Sequence, residues 1–324
     1  MTNILIIGDK NDPHIASVVN HLKKKNATVI VINPLGDTKG NITYHFSPFK
    51  IVFKDLDTKI NHTDIDAVWW RIKPNLTSYP NNVSEFETNN FVYREWQLTL
   101  EPLFSFLEHC FWINRRSSDK LVRNKPYQLF KASQNGFKIP KTLISNDYNS
   151  IQESTKDFNR IIYKPLSYFI VPPDKVLYSN IMSIGEILDN KENIKMAPCI
   201  FQNYIDKKYE LRITIVGSKI FAVKINSQEN ELAKYDWRRN QLNLKYEIIQ
   251  LDKIMENKIL ALHNDFKLTY GAYDFIVDKN GDFIFLEVNP AGQWLWFEKE
   301  LKIDISEQIA TELIEKTAHN NVYN

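Results

Sequence analysis

Cysteine is nearly missing from this chain. Cys110 and Cys199 are the only two among 324 residues, far apart and without a C-x-x-C. That excludes a disulfide framework and fits a reducing compartment with buried thiols. The 7 histidines never form H-x-H or H-E-x-x-H, which sets zinc chemistry aside. Glycine is scarce too, with 9 residues. The turn after the first apolar stretch, Gly8-Asp9-Lys10-Asn11-Asp12-Pro13, lacks the second and third glycines of a dinucleotide fingerprint. Neither sign of charge dominates: 41 basic against 39 acidic residues leave +2, too weak a field to gather nucleic acid. No apolar run reaches the roughly 18 residues that cross a bilayer. The opening MTNILIIGDK has no basic segment ahead of its apolar stretch. A cytoplasmic protein with neither membrane nor nucleic-acid partners is the expectation. Internal repeats and low-complexity segments are also lacking.

What is present is a globular composition, 43% hydrophobic and 13% aromatic, over a length suited to two or three subdomains. An apolar strand at 3–7, a helical pattern over about 13–25 and a strand at 29–32 make a β-α-β opening, hence a parallel sheet in an α/β protein. A later strand at 68–71 ends on Arg71, and a polar loop covers 74–82. A helix over 93–109 carries Trp96, Leu100, Leu103 and Leu107 on one face and should break at Pro102; a strand at 111–114 closes this part. Residues 119–135 read as a helix stopped by Gly136, followed by strands at 141–144, 160–164 and 176–179 and a helix at 181–189. Strands at 198–204, 210–216 and 219–226 come next, the last two joined at Gly217-Ser218. A helix over 251–266 has Leu251, Ile254, Ile259, Leu262 and Phe266 on its buried side. A final helix opens at Asp304-Ile305-Ser306-Glu307, a capping arrangement, and packs down through Ile305, Ile309 and Leu313.

The most informative stretch is 271–293, GAYDFIVDKNGDFIFLEVNPAGQ. Two apolar runs flank Asp278-Lys279-Asn280-Gly281, and Asn-Gly favours a two-residue hairpin turn. With Asn280-Gly281 as the loop, Asp274 lies opposite Glu287; with Lys279-Asn280 or all four residues as the loop, it pairs with Phe285. In each of these registers Asp274, Glu287 and Asn289 share a face, because side chains alternate along a strand. A three-residue loop without a bulge would turn Asp274 to the other face. Two facing carboxylates repel and need a cation or a proton between them. With the Asn289 carbonyl they make an all-oxygen ligand set, suited to Mg²⁺. An ordinary hairpin with its Asp and Glu in solvent has the same pattern, so other stretches must decide.

Those stretches are basic. Lys125 lies in N-K-P-Y-Q-L, and Lys164 ends an apolar strand in I-I-Y-K-P, where a buried ammonium needs an anionic partner such as phosphate. An apolar strand with Gln202, Asn203, Tyr204 and Ile205 precedes Glu210-Leu211-Arg212, which sets an acid and a base on one strand face. Asp236-Trp237-Arg238-Arg239-Asn240 forms a further basic cluster.

In this order the motifs resemble those of the ATP-grasp ligases over nearly the whole chain. The resemblance implies an α/β ATP-grasp fold with an N-terminal α/β domain at 1–116, a lid at 117–197 and a C-terminal ATP-grasp domain at 198–324. ATP would lie between the last two. Carried onto this sequence, it makes Lys125 and Lys164 contacts to the nucleotide and its phosphates. Gln202, Asn203, Tyr204 and Ile205 become the hinge around adenine, and Glu210 the holder of the ribose hydroxyls. Arg212 and Arg238 would stabilise the transferring phosphoryl and acyl-phosphate groups. Asp274, Glu287 and Asn289 would hold Mg²⁺. One departure stands out: the lid loop at 166–173, glycine-rich in the family, has no glycine here.

A narrower likeness comes from W-W-R at 69–71, N-K-P-Y-Q-L, I-Y-K-P-L-S-Y, K-K-Y-E-L-R-I-T-I-V-G and Y-D-W-R. These are similar to the macrocyclases of microviridin-like peptides, the graspetides. It implies that the enzyme activates Asp or Glu side chains of a ribosomal precursor peptide. Attack by Ser or Thr would then close a lactone, the favoured product, and attack by Lys a lactam. The partner would be a precursor with leader and core segments, the leader docking near 166–179, and a homodimer is possible. A ligase for free amino acids is the competing expectation.

Overall fold

The computed structural model describes the chain except for residues 35–39, 56–57, 73–82, 167–169, 172–174, 177–179 and 321–324. Its N-terminal part is built on the β-α-β unit. Asn3–Gly8 lies between Thr28–Ile32 and Ala67–Arg71, all parallel, with Phe111–Ile113 beyond the last. Ile4, Leu5, Ile6 and Ile7 are fully buried, as a strand covered on both faces requires. The crossover helix Pro13–Lys24 starts where Asp12 accepts a hydrogen bond from the His14 amide and Pro13 presets the first turn.

A second, antiparallel sheet of Asn41–Phe46, Phe49–Lys54 and Lys59–Asn61 has no counterpart in the sequence reading. Its first strand is mostly exposed, so it carries no apolar run, yet Ile51, Phe53 and Ile60 pack against Leu5, Ile30 and Trp70. The expected helix at 93–109 is Val83–Leu100 and a short Leu103–Phe106, parted at Pro102. The loop placed at 74–82 lies outside the described residues.

The helix expected at 119–135 is two, Arg116–Val122 and Lys125–Gln134, parted at Asn124, because Pro126 has no N–H to give the Val122 carbonyl four residues back. Gly136 ends the second at φ +74°. Both pack on the C-terminal sheet, with Val122, Leu129 and Ala132 against Leu211, Ile213 and Phe275. The middle sheet runs Asn180–Met182, Ile161–Lys164, Cys199–Asn203, Thr142–Ser145, all antiparallel. Cys199–Asn203 therefore hydrogen-bonds with the middle segment, not with the strands that follow it. Of the strand expected at 176–179, Val176 pairs in the small hairpin Ile170–Val171/Lys175–Val176, and the sheet strand starts at Asn180.

The C-terminal sheet is antiparallel in the order Tyr246–Ile248, Lys219–Ile225, Lys207–Val216, Tyr270–Asp278, Phe283–Asn289. One face, with Leu211, Ile213, Phe275, Phe285 and Val288, meets Met255, Ile259 and Leu262 of helix Lys253–Asp265. Ile254, expected inside, is 80% exposed, and Met255 takes the inner position. The last helix, Ile305–Asn320, packs Ile305, Ile309 and Leu313 against Val18, Leu22 and Trp69. It thus joins the first part of the chain to the last.

Asn114 ties the same two parts by polar contacts. Its amide donates to Tyr270 O (2.8 Å) and Pro290 O (3.0 Å), and its oxygen accepts from the amides of Thr269 and Tyr270 (both 2.8 Å). Asn114→Ala is expected to destabilise the fold by roughly 3 kcal/mol, since it strands buried backbone groups; denaturant unfolding would measure this.

Candidate active site

The hairpin at 271–293 differs from the favoured two-residue turn and still reaches the expected face. Its loop has three residues, Lys279, Asn280 and Gly281: the Asp278 amide donates to Asp282 O, and Gly281 sits at φ +89°. That loop alone would turn Asp274 away from Glu287. A bulge restores the match. Val277, Ile276 and Phe275 pair with Phe283, Ile284 and Phe285, but Asp274 pairs with Glu287 and Ala272 with Asn289, leaving Leu286 extra. Asp274, Glu287 and Asn289 therefore do share a face.

The neighbouring strand extends it, because Arg212 pairs with Asp274 and Glu210 with Ile276. One Arg212 nitrogen donates to both Asp274 oxygens at 2.8 Å. Glu287 is approached by Lys125 at 3.9 Å and by Arg238 at 3.5 Å. Arg238 is itself held by two 2.8 Å bonds to Asp236, and the Lys125 ammonium donates to Pro165 O at 3.2 Å. Asn289 accepts from the Ala291 amide at 3.0 Å, which leaves its carbonyl a second lone pair. Among the described residues no group of three His, Cys, Asp or Glu side chains converges as a metal site. The candidate ligands are two carboxylates and an amide.

Charge in this cluster is unbalanced in both directions. Burial pushes the Asp274 carboxyl up, Arg212 offsets this only in part, and the facing Glu287 adds to it. Burial also opposes ionisation of Glu287, but Lys125, Arg238 and Lys164 outweigh it and hold that carboxyl down at about 2. Lys164 is pushed down to about 8 by burial, with Lys125 and Arg238 adding repulsion that Glu287 does not cancel. The Asp274 carboxyl is thus raised and the Lys164 ammonium lowered, and both lie in the field of Glu287 and Arg238.

The middle sheet brings Lys164 to the cleft. Lys164 pairs with Ile200 and Ile162 with Gln202, so these four share a face. Gln202 donates to the Thr142 hydroxyl at 2.8 Å. Asn203 pairs with Ile161 and points to the opposite face, where its side-chain oxygen is buried without a hydrogen-bond partner. Its side chain therefore does not join the cluster. The Tyr204 amide donates to Arg160 O at 2.9 Å, with the Arg160 guanidinium 3.8 Å from its ring; Ile205 is half-buried. Glu210 is buried, which raises its carboxyl, and Lys207 bonds it at 2.6 Å.

Two features had no local signal. Lys207 looks like a surface residue in Asp206-Lys207-Lys208 but is buried against Glu210. The segment after Asn289 is gripped from two sides. Arg71 donates to Asp12 (3.0 Å) and to the carbonyls of Ala291 (3.5 Å) and Gly292 (3.4 Å), with its guanidinium 4.6 Å from the Trp294 ring. His14 bonds Asp12 through Nδ1 (2.7 Å) and accepts from the amides of Trp294 and Leu295 through Nε2. From the other side Arg212 reaches Gln293 O at 3.5 Å; a Cβ on Gly292 would lie 2.6 Å from that guanidinium.

A lysine-bearing strand of one sheet closing on a carboxylate-bearing hairpin of another is the arrangement of an ATP-grasp enzyme. The RimK-like ATP-grasp domain matches residues 119–313, and the chain belongs to that family. Two solved structures resemble it over nearly their full length. A RiPP-associated ATP-grasp ligase of Chryseobacterium gregarium, in complex with ADP and a leader and core peptide, has a TM-score of 0.83 and 28% identity, covering 98% of this chain and 97% of that one. The macrocyclase MdnC of Microcystis aeruginosa MRC, bound with precursor peptide MdnA, has a TM-score of 0.83 and 29% identity, covering 97% and 99%. MdnB of the same organism shares the fold, with a TM-score of 0.78 and 22% identity, covering 97% and 100%. No curated protein matches the chain.

Lys164 gives a direct test of the charge imbalance. Its ammonium is depressed from 10.5 to about 8, so between those values the unfolded chain binds more protons and this group makes stability rise with pH. A bound polyphosphate would raise the group again. ADP binding with Mg²⁺ at about pH 9 should therefore take up a proton, measurable by calorimetry in buffers of different ionisation heat. Lys164→Met should abolish the uptake.

Proposed function

We propose that this chain is an ATP-dependent macrocyclase acting on a ribosomal precursor peptide, joining an Asp or Glu side chain of the core to a Ser or Thr hydroxyl as a lactone. The observation that carries the ATP and Mg²⁺ part is geometric: Asp274, Glu287 and Asn289 share one strand face, and Arg212, Arg238 and Lys125 approach the two carboxylates, which sets oxygen ligands for a divalent metal beside cations for a triphosphate. The peptide substrate is supported by the full-length similarity to two ligases solved with precursor peptides.

Bound Mg·ATP supplies the phosphoryl group that makes the carboxylate oxygen a leaving group, so that a hydroxyl of the same peptide can close the ring. The chain's own residues do the rest by holding and neutralising. Asp274, Glu287 and Asn289 would hold the metal, and Lys125 and Lys164 the phosphates. The backbone of Gln202, Asn203, Tyr204 and Ile205 would line the adenine, with Ile162 and Ile200 as an apolar floor on the face that carries Lys164. Glu210 would hold the ribose hydroxyls. Arg212 and Arg238 would neutralise the transferring group, each kept in place by a carboxylate, Asp274 and Asp236 respectively.

The three-part division at 1–116, 117–197 and 198–324 belongs to the same proposal, with Cys199–Asn203 completing the lid's sheet. So does leader docking near 166–179, a stretch largely outside the described residues. A cytoplasmic location agrees with two free cysteines, and among the described residues no helix is long and apolar enough to cross a membrane. A homodimer is carried over from the family resemblance, and sedimentation would read it.

Incubation with ATP, Mg²⁺ and the peptide encoded beside the gene should remove one water mass per bond formed. ATP turnover with free amino acids alone, and none with the peptide, would refute the proposal. Glu287→Gln, which keeps the shape and removes the charge, should lower kcat/KM on the order of 100-fold or more.

A further inference from the structure

We infer that Gln128, which has no role in the site as described, locks the register of the metal-bearing edge strand and is a positioning residue for the reaction. The inference rests on reading Asp274, Glu287 and Asn289 as the metal ligands.

Phe283–Asn289 is the last strand of its sheet, with a full ladder on one side and a single bridge, Ile284 to Lys138, on the other. An edge strand leaves the N–H and C=O groups of its outer side without a neighbouring strand to pair with. This one also carries the extra residue Leu286. Moving that bulge past Glu287, away from the loop, or removing it, shifts the pairing by one residue and turns Glu287 to the core face.

Two clamps on the open edge flank the bulge. Before it, the Phe285 amide donates to Lys138 O at 2.9 Å. After it, the Gln128 side chain does what a further strand would do. Its oxygen accepts from the Val288 amide (2.9 Å) and its nitrogen donates to Val288 O (2.9 Å). Val288 is the residue between Glu287 and Asn289. The nitrogen's other proton goes to Val122 O at 2.6 Å, so the amide's donors are both engaged and its orientation is fixed by the network. Gln128 is 3% exposed, and the Val288 side chain is buried on the core face.

The helix that carries this amide also carries Lys125, which approaches Glu287 at 3.9 Å. One rigid element thus sets both the lysine and the ligand-bearing strand, as the supporting partners of metal ligands commonly do. Gln128 touches neither substrate nor metal in this scheme; it acts through Val288.

The test uses the full-length protein with Gln128→Met, similar in volume and unable to make the three bonds. Nucleotide binding is followed calorimetrically as Mg²⁺ is titrated, beside thermal unfolding. A positioning role predicts a Mg²⁺ half-saturation raised about 10-fold or more, with the KM for peptide unchanged. A lowered Tm with unchanged Mg²⁺ half-saturation would overturn the inference, leaving Gln128 as packing only. If Gln128→Met does not fold, Gln128→Asn, one methylene short of Val288, is read in the same way. Glu287→Gln is run in parallel. If it leaves Mg²⁺ half-saturation unchanged, the metal reading has failed; if it shifts and the Gln128 variant does not, the clamp alone has failed.

Discussion

Two carboxylates facing each other across a strand pair repel, and Asp274 and Glu287 are held that way by backbone pairing. Positive charge must be brought to them, and the fold does so from every side. Arg212 comes from the adjacent strand, Arg238 from the loop beyond it, Lys125 from a helix packed behind the sheet and Lys164 from a different sheet. The carboxylates respond unequally. Glu287 collects the lysines and Arg238 and stays ionised, whereas Asp274, more deeply placed with Arg212 as its partner, is raised. That asymmetry is the electrostatic setting that the proposed Mg²⁺ would enter.

How far this was legible depended on whether the information was local. Alternation along two strands placed Asp274, Glu287 and Asn289 on one face, and Lys164, expected to want an anion, ends its strand in the field of Lys125 and Arg238. The turn was misjudged: Asn280-Gly281 favours two residues, but Asp278 accepts from the amides of Asn280 and Asp282 and so shapes a longer loop. Only the bulge at Leu286 kept the face intact, and Leu286 has no special chemistry that would announce it. Asn203 shows the opposite outcome. It was expected in the hinge around adenine, but alternation assigns its side chain to the face away from Lys164. Partners far apart in sequence were invisible. Nothing near Asn114 points to Tyr270, and nothing near Gln128 points to Val288.

The N-terminal part takes part in the site by the same long-range means. Arg71 and Asp12 form a buried pair, and such a pair is a poor source of net stability because desolvation consumes most of the Coulomb gain. What the pair does here is place something. Arg71 donates to the Ala291 and Gly292 carbonyls while Arg212, on the other side, reaches Gln293 O and Asp274. The backbone just after Asn289 is therefore fixed between one arginine of each end of the chain. Gly292 is the residue that permits it, since any Cβ there would meet both Ala272 and Arg212. His14 closes the arrangement by accepting from the Trp294 and Leu295 amides, which puts its proton on the Nδ1 that faces Asp12. The W-W-R stretch, named in the sequence only as a likeness, thus has a physical part in the site. Its tryptophans bury the strand, and its arginine carries the N-terminal sheet's position to the turn that follows Asn289.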